Sequence, residues 1–276
     1  MGRLRISAIS YLNTAPLMWD FEHGSVGSDF QISYTIPSAC AESLRLGTAD
    51  IGIIPTAAYA AIPELVILPG IAIASRRPVR SILLVSKVPV EQMRSIALDA
   101  SSMTSVALLK VILAKWVGGE HVFSSLRPEL AYMLRDHDAG LLIGDPALKV
   151  DRARYYCYDL AEEWIRHTGK PFVFAFWAVR RAALQEASAK LDLAAIFQES
   201  RDHGLGKIDD IARAWGPKLG LSEPEVRKYL TENIYYYLDS DCLDGLLLFY
   251  RYAAECRVLP PVLALQFYEA LKPAVR

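Results

Sequence analysis

The sequence contains no apolar run long enough to cross a membrane and no cysteine or histidine spacing typical of a metal site. A membrane helix needs about 20 consecutive apolar residues, and polar residues interrupt every apolar stretch of this 276-residue chain sooner. The cysteines (Cys40, Cys157, Cys242 and Cys256) form no CxxC pair, and the five histidines form no HxxxH pair. The spacing predicts buried, reduced thiols and neither a bound metal nor a disulfide framework.

Runs of like charge are also absent. Lysine and arginine number 30 against 31 aspartate and glutamate, and no five like charges stand together. This balance favours neither a nucleic-acid-binding face nor a polybasic membrane anchor, so a small molecule is the expected partner. The first residues lead into a strand that Ser7 and Ser10 interrupt, which is unlike a secretory signal. We therefore expect a cytoplasmic protein.

Short apolar runs alternate with helical patterns through the first half of the chain, as in a parallel sheet covered by helices. Strands are predicted at 4–9, 32–36, 50–54, 65–68 and 79–86. A helix capped by Ser38 and ended by Gly47 joins the second strand to the third. Ligands of such sheets bind at the carboxyl ends of the strands, which here are 10–14, 37–38 and 55–56.

The pattern restarts after residue 87 as a second, smaller α/β unit. Strands are predicted there at 95–98 and 139–143, with helices at 102–116 and 129–135. A long β-prone run follows at 172–179. The remainder is predicted to be helical at 182–201, 208–219, 222–238, 243–256 and 261–271, and Ser222 and Glu225 form a capping box at the start of the third of these.

One α/β unit nested inside another predicts two lobes. The chain is expected to cross to the second lobe near residue 87 and to return near residue 174 through paired extended segments that act as a hinge. Lobe 1 would then comprise residues 1–87 and 175–276, and lobe 2 residues 88–174. The ligand cleft would lie between them.

Four segments of the sequence form a family pattern. They are Ser10 to Leu17 (SYLNTAPL), Leu46 to Pro55 (LGTADIGIIP), Leu142 to Leu148 (LIGDPAL), and Tyr158 to Trp164 (YDLAEEW) with Thr168 to Trp177 (TGKPFVFAFW). Each alone is a weak motif, but in this order and at these separations they resemble the chorismate dehydratases of the futalosine route to menaquinone. The sister family, dihydroxynaphthoate synthase, has a loop with proline and cysteine where this chain has Tyr11 to Thr14.

The resemblance implies an α/β, two-lobed periplasmic-binding-protein type II fold with a ligand cleft between the lobes. It implies a lyase that removes water from chorismate to give 3-[(1-carboxyvinyl)oxy]benzoate without a cofactor. Two alternatives stay open: dihydroxynaphthoate synthase, and a non-catalytic cytosolic protein that binds a small carboxylate, because this fold serves binding proteins more often than enzymes. The sequence predicts no particular oligomeric state.

The residues between the first strand and the first helix of the second unit are the best candidate for a carboxylate site. Ser101, Ser102, Met103, Thr104 and Ser105 place hydroxyls and free amide groups at a helix N-terminus. Chorismate carries two carboxylates, which such donors would bind. The alternative is that one serine caps the helix while the others are solvated.

Asn13 and Ser81 are the catalytic residues that the resemblance implies. Asn13 follows the first strand, and Ser81, matched in preference to Ser86, lies close to the crossing between the lobes. On residue chemistry alone, Asn13 would stabilise a turn through an Asx bond and Ser81 would be an ordinary strand hydroxyl. No Ser-His-Asp pattern surrounds Ser81, so a nucleophilic serine is not expected.

Further substrate contacts are expected at strand ends in both lobes. They are Ser10, Tyr11, Thr14, Ser38, Pro55, Thr56, Gly144, Asp145 and, as a wall of the cleft, Trp177. Gly144 would admit the ligand close to the backbone. Asp145 is placed to cap a helix that starts at Pro146, and capping or positioning of the hinge is the alternative to a substrate contact. Packing of Trp177 in the core is an equal alternative.

A general base is not evident among these residues. The four segments contain no histidine, and Asp145 is predicted to be engaged at a helix start. We therefore expect the side-chain carboxylate of the substrate, held by Asn13, to accept the proton while Ser81 hydrogen-bonds the departing hydroxyl.

Overall fold

The chain folds into two α/β lobes, each built on one five-stranded sheet, in a computed structural model that describes residues 3–187 and 191–269. The strands are β1 Leu4–Ile9, β2 Phe30–Thr35, β3 Ile51–Pro55, β4 Leu65–Ser75, β5 Ile82–Ser86, β6 Ser95–Asp99, β7 Val122–Leu126, β8 Ala139–Ile143, β9 Tyr156–Asp159 and β10 Phe172–Arg180. The two sheets confirm the predicted two-lobed α/β architecture.

The sheet of lobe 1 has the order β2-β1-β3-β10-β4. Strands β1, β2 and β3 are parallel, whereas β10 runs antiparallel between β3 and β4. Nearly every residue of β3 and β10 is buried, which matches their continuous apolar sequences. The late strand β10 therefore forms part of the centre of the first sheet.

The sheet of lobe 2 has the order β7-β6-β8-β5-β9 and repeats this plan. Strands β6, β7 and β8 are parallel, and β5 runs antiparallel between β8 and β9. In each lobe, the strand that enters from the other lobe lies antiparallel in the fourth position of the sheet. The carboxyl ends of the parallel strands meet at one edge of each sheet.

Twelve α-helices are found in the described part of the chain. They are α1 Trp19–His23, α2 Pro37–Leu46, α3 Thr56–Tyr59, α4 Thr104–Ile112, α5 Leu130–Asp136, α6 Asp145–Leu148, α7 Leu160–Thr168, α8 Arg181–Ala187, α9 Leu193–Leu205, α10 Ile208–Leu219, α11 Glu223–Lys228 and α12 Ser240–Glu255. Short π-helical turns follow α4 at Leu113–Val117 and α11 at Tyr229–Asn233. Gly47 ends α2 in the left-handed conformation with φ 73°, as predicted.

The lobe boundaries differ from the predicted 1–87, 88–174 and 175–276. Strand β5 pairs with β8 and β9, so the chain crosses between Ser75 and Ile82, ahead of residue 87. Phe172 already pairs with Ser75 in the first sheet, so the return precedes residue 174. The strand predicted at 79–86 therefore belongs mainly to lobe 2, because hydrophobic patterning shows that a strand is buried but not which sheet it joins.

Two helix predictions at the C-terminal end are wrong. Residues 261–269 form no helix; Phe267 instead makes an isolated parallel bridge with Ile67, and the predicted end of that helix at 271 lies outside the described residues. The helix predicted at 222–238 begins with the expected capping box of Ser222 and Glu225, but it ends in the π turn before Ile234.

Candidate functional site

A cleft with an empty volume of about 460 Å³ lies where the strand ends of the two lobes meet. Its lining residues are Ile9, Tyr11, Asn13, Pro37, Pro55, Ile73, Phe174 and Ala175 from lobe 1, and Ile82, Ser102, Met103, Thr104, Ser105, Ile143 and Gly144 from the crossing and lobe 2. No charged side chain is among the described residues that line it. The cleft therefore offers an apolar interior with neutral polar groups.

Eight of the predicted site residues line this cleft. They are Tyr11, Asn13, Pro55, Ser102, Met103, Thr104, Ser105 and Gly144. The other eight do not line it: Ser10, Thr14, Ser38, Thr56, Ser81, Ser101, Asp145 and Trp177. Most of the second group lie directly behind the lining residues, where they make contacts within the protein.

Trp177 is placed in the core of lobe 1, and its predicted position as a wall of the cleft is wrong. Its side chain is completely buried and packs edge-to-face on Phe197, with ring centroids 4.7 Å apart. Strand β10 runs antiparallel to β3, so the beginning of β10 lies beside the carboxyl end of β3 at the cleft. Phe174 and Ala175 consequently line the cleft in place of Trp177.

Thr56 and Thr104 bind each other across the lobes. Their hydroxyl oxygens lie 3.3 Å apart, and the Thr104 hydroxyl also accepts a hydrogen bond of 3.1 Å from the amide of Ala57. The Thr56 hydroxyl donates to the carbonyl of Val173 at 3.1 Å. Both threonines are buried, so their hydroxyls hold the lobes together and are engaged before any ligand binds.

Ser101 is also engaged within the protein. Its hydroxyl and its amide both donate to Oδ1 of the buried Asp99, at 2.6 and 2.9 Å, and the amide of Ile143 donates to Oδ2. The Ser101 carbonyl accepts from the amide of Ser38 at 3.1 Å, which is a second contact between the lobes. Burial raises the pKa of Asp99 despite these bonds. Ser38 does not cap α2, where Ile36 is the N-cap residue.

Ser102 and Ser105 differ from these neighbours because their hydroxyls form no hydrogen bond within residues 3–187 and 191–269. Ser105 is nearly buried, and both serines line the cleft at the start of α4. The first amide groups of a helix have no partner inside the helix, and the helix dipole places partial positive charge there. This end of the cleft can therefore bind an anion without a cationic side chain.

On the opposite side, the segment after β1 presents Tyr11 and Asn13, where Tyr11 is the N-cap residue of a 3-10 helix, Leu12–Met18. The Asn13 side-chain oxygen accepts a hydrogen bond from the Thr14 hydroxyl at 3.4 Å. Thr14 is buried and its amide donates to the Tyr11 carbonyl at 3.0 Å, whereas Ser10 is exposed and its amide donates to the carbonyl of Thr35. Thr14 and Ser10 thus shape the loop that directs Asn13 into the cleft.

The ring of Tyr11 contacts Gly144. It fills the space beside the Gly144 backbone in which a ligand was expected from the sequence. Gly144 has φ 62°, and a Cβ atom there would lie 2.6 Å from Cδ2 of Tyr11. Both the left-handed backbone and the close ring contact require glycine at this position. Tyr11 of lobe 1 thus packs on the end of β8 in lobe 2.

Asp145 bridges the lobes and does not cap a helix as predicted. It is the first residue of α6, whose N-cap is Gly144, and its Oδ1 accepts a hydrogen bond of 3.0 Å from the Leu12 amide. Burial raises the pKa of Asp145 to about 6, and the bond from Leu12 only partly offsets this effect. Because its pKa is raised and it lies beside the cleft, Asp145 is a candidate for a general base.

Ser81 lies immediately behind the cleft with Tyr229, a residue that the sequence did not single out. The Ser81 hydroxyl accepts a hydrogen bond of 2.8 Å from the Tyr229 hydroxyl, and the Ser81 carbonyl accepts one from the Gly144 amide. Ser86 lies at the other end of β5, where its hydroxyl donates to the carbonyls of Val88 and Asp138. The structure therefore places Ser81, and not Ser86, next to the cleft.

Among the described residues, no group of three histidine, cysteine, aspartate or glutamate side chains is arranged to hold a metal ion. None of the described helices has the length and apolar composition needed to span a membrane.

Comparisons with known proteins connect this fold and cleft to a family. The chain is 29% identical over 268 residues to the chorismate dehydratase of Thermus thermophilus, covering 91% of this chain and 93% of the relative. A crystal structure of an Archaeoglobus fulgidus protein superimposes with a TM-score of 0.73 at 15% identity, covering 93% of this chain and 98% of the other.

The periplasmic aliphatic sulphonate binding protein of Escherichia coli superimposes with a TM-score of 0.65 at 17% identity, covering 99% of this chain and 96% of the other. These likenesses confirm the expected binding-protein fold. The sequence profile of the menaquinone biosynthesis family matches residues 4–255, in agreement with the resemblance seen in the four segments. The chain belongs to the menaquinone biosynthesis family.

Proposed function

We propose that the protein is a chorismate dehydratase, a hydro-lyase that converts chorismate to 3-[(1-carboxyvinyl)oxy]benzoate in the cytoplasm. The observation that carries this proposal is the interlobe cleft of a family member, which is lined mainly by apolar side chains and has Ser102, Ser105 and the start of α4 in its wall. An apolar ring with a carboxylate at its edge has the chemistry that complements such a cleft.

The elimination removes the hydrogen at ring carbon 3 and the hydroxyl at ring carbon 4. Carbon 3 is conjugated through the adjacent double bond with the ring carboxylate, so charge that develops on deprotonation spreads into that carboxylate. Donors fixed around the carboxylate stabilise the transition state more than the ground state. We assign this role to the hydroxyls of Ser102 and Ser105 and to the first amide groups of α4.

The proton acceptor in this proposal is the enolpyruvyl carboxylate of the substrate. Among the described residues that line the cleft there is no carboxylate or imidazole, so this lining offers no protein base. Asn13 lines the cleft opposite α4 and would hold the substrate side chain against carbon 3, while Ser81 would donate a hydrogen bond to the departing hydroxyl. The departing hydroxide takes up the proton held by the substrate carboxylate, so that water leaves and the carboxylate is restored. The ring becomes aromatic in the same elimination, which drives the reaction forward.

Asp145 is the competing proton acceptor. Its raised pKa suits a base near neutral pH, but its Oδ1 already accepts a hydrogen bond from the Leu12 amide. Replacement by asparagine removes the titrating carboxylate while keeping an oxygen for Leu12. We expect Asp145→Asn to retain the acid limb of the pH profile of kcat; loss of that limb in Asp145→Asn alone would identify Asp145 as the base.

Incubation of the purified protein with chorismate, followed by ultraviolet spectroscopy, tests the reaction directly. A dehydratase converts the diene to an aromatic product and changes the spectrum, whereas a carboxylate-binding protein leaves the spectrum unaltered. Asn13→Asp and Ser81→Ala are expected to lower kcat by about 100-fold or more, as is usual for loss of acid-base positioning groups. Ser86→Ala serves as the control for Ser81→Ala and is expected to retain turnover, because Ser86 lies at the far end of β5.

A further inference from the structure

Tyr229 stands behind the cleft in a position that none of the family segments covers. It is the first residue of the π turn Tyr229–Asn233, and its side chain is only 1% exposed. Single π turns within helices occur frequently at functional sites. The hydroxyl of Tyr229 donates a hydrogen bond of 2.8 Å to the Ser81 hydroxyl.

Asn13 lies near the same tyrosine and lowers its pKa, although burial raises that pKa more strongly. Tyr229 therefore hydrogen-bonds to one of the residues proposed to act on the substrate and lies near the other. Asn13 comes from the loop after β1 in lobe 1, and Ser81 comes from the crossing that precedes β5. The buried Tyr229 hydroxyl thus bonds directly to Ser81 on one side of the cleft and lies near Asn13 on the other.

The π turn is hydrogen-bonded to the segment between Ser75 and Ile82, where the chain crosses between the lobes. The Asn233 side-chain amide donates to the carbonyl of Pro78 at 2.8 Å, and the Asn233 carbonyl accepts from the Ser75 hydroxyl at 2.9 Å. Tyr235 continues this contact through an antiparallel bridge with Ala74. Because residues that precede Ser81 in the chain are held by this turn and by the residue that follows it closely, the position of Tyr229 relative to Ser81 is fixed.

We infer that Tyr229 is a positioning residue of the dehydration, which orients the Ser81 hydroxyl so that its proton is directed at the departing hydroxyl of the substrate. A serine hydroxyl has one proton and two acceptor sites. Because Tyr229 fills one acceptor site as a donor, the serine proton is left for the substrate. A hydroxyl that accepts one hydrogen bond is polarised and donates the next one more strongly. This inference rests on the proposed function.

Tyr229→Phe removes the hydroxyl and keeps the ring in place. We expect kcat with chorismate to fall roughly 5- to 100-fold, the range for loss of one buried hydrogen bond, while KM stays within about two-fold. The pH profile should keep its shape, because Tyr229 only donates in this scheme. Tyr236→Phe is the matched control: Tyr236 is equally buried, but its hydroxyl has no partner among the described residues. Its kcat should equal that of the wild-type protein.

A double-mutant cycle separates positioning from an independent effect on the fold. If Tyr229 acts through Ser81, then Tyr229→Phe/Ser81→Ala should lose no more kcat than Ser81→Ala alone, within roughly two-fold, the usual error of additivity. Losses that multiply would overturn the inference, as would a kcat for Tyr229→Phe equal to that of Tyr236→Phe. Those results leave the dehydratase assignment intact, whereas a wild-type protein that leaves chorismate unchanged would overturn both.

Discussion

The wall that lobe 1 contributes to the cleft is mainly apolar, whereas hydroxyl groups are concentrated on the wall from lobe 2. Ile9, Pro55 and Phe174 represent the first wall, and Ser102 and Ser105 represent the second. Both walls are formed at strand ends of the same sheet plan. The two sheets thus provide a common frame, while the loops after their strands determine the chemistry of each side.

The hydroxyls of the lobe 2 wall also differ among themselves. Thr104 and Ser101 are bonded to protein groups, and Thr104 joins the two lobes. Ser102 and Ser105 have free hydroxyls in the described part of the chain. Adjacent residues of one loop therefore divide into those that hold the lobes together and those that can receive a ligand. Four predictions test the contacts between the two walls and the division among these hydroxyls, in order of decreasing effect.

The largest effect is expected where the two walls touch directly. Gly144→Ala should lower the free energy of unfolding by about 2–4 kcal/mol, because the left-handed backbone is strained by a side chain and the new Cβ meets the Tyr11 ring. Gly169→Ala is the control, since Gly169 has φ 66° but no atom near a Cβ; it should cost about 1 kcal/mol. Denaturant titration measures both, and equal losses would contradict a tight contact between the walls.

The second prediction compares the contributions of Thr104 and Ser105 to the stability of the protein. Thr104→Ala should lower the free energy of unfolding by about 1–3 kcal/mol, because the buried amide of Ala57 loses its acceptor. Ser105→Ala should change it by less than about 0.5 kcal/mol. Thr104→Ser keeps the hydroxyl and should recover much of the loss. Thermal or denaturant unfolding measures the stability of each variant. Equal stability of the two alanine variants would contradict the conclusion that Thr104 holds the lobes together and Ser105 does not.

For ligand affinity, we expect the larger effect at the serines with free hydroxyls. Ser102→Ala and Ser105→Ala should each weaken binding of chorismate by about 5- to 30-fold, which corresponds to loss of one hydrogen bond to a charged group. Isothermal titration at a temperature where turnover is slow measures this change. Ser86→Ala is a suitable control because the Ser86 hydroxyl bonds to backbone groups of Val88 and Asp138, outside the cleft. Unchanged affinity in both variants would exclude this end of the cleft as the carboxylate site.

The smallest effect concerns pH. The pKa of Asp145 is raised to about 6 in the folded protein, above the unfolded value near 3.8, so the folded state binds the proton more tightly. Stability should therefore decrease as pH rises from about 4 to 6 and change no further above that range through this group. Asp145→Asn should remove this dependence and gain about 1 kcal/mol at pH 7, since partial exposure reduces the effect. Unfolding curves at pH 4 and 7 for both proteins provide the measurement.

Much of the architecture could be predicted from the sequence because strand burial and helix capping are local signals. The predicted β1 and α10 coincide with Leu4–Ile9 and Ile208–Leu219, and the Ser222 capping box is present. Which strands pair with one another was harder to predict from the sequence. Whether β5 joins the first or second sheet depends on contacts with β8 and β9 that are distant in sequence, so the lobe boundary was placed too late.

The candidate site shows the same limit at the level of side chains. The Ser101 to Ser105 loop could be identified by composition, but which hydroxyls are free depends on Asp99 and Thr56. Trp177 was misplaced because the direction of β10 in the sheet, and not its composition, decides which end meets the cleft. Tyr229 was missed since a tyrosine within a helical pattern carries no signal until its partner Ser81 is known.

The position of β10 also bears on how the protein is made. Strands β5 to β9 lie within residues 82–159, so a ribosome can release everything that the second sheet needs as one continuous stretch. The first sheet cannot be completed until β10 has been synthesised, because β3 and β4 are neighbours of β10 and not of each other. The lobe that begins first during synthesis is therefore completed last. Until residue 180 emerges, the apolar edges of β3 and β4 that pair with β10 are exposed in the nascent chain, where a chaperone can recognise them.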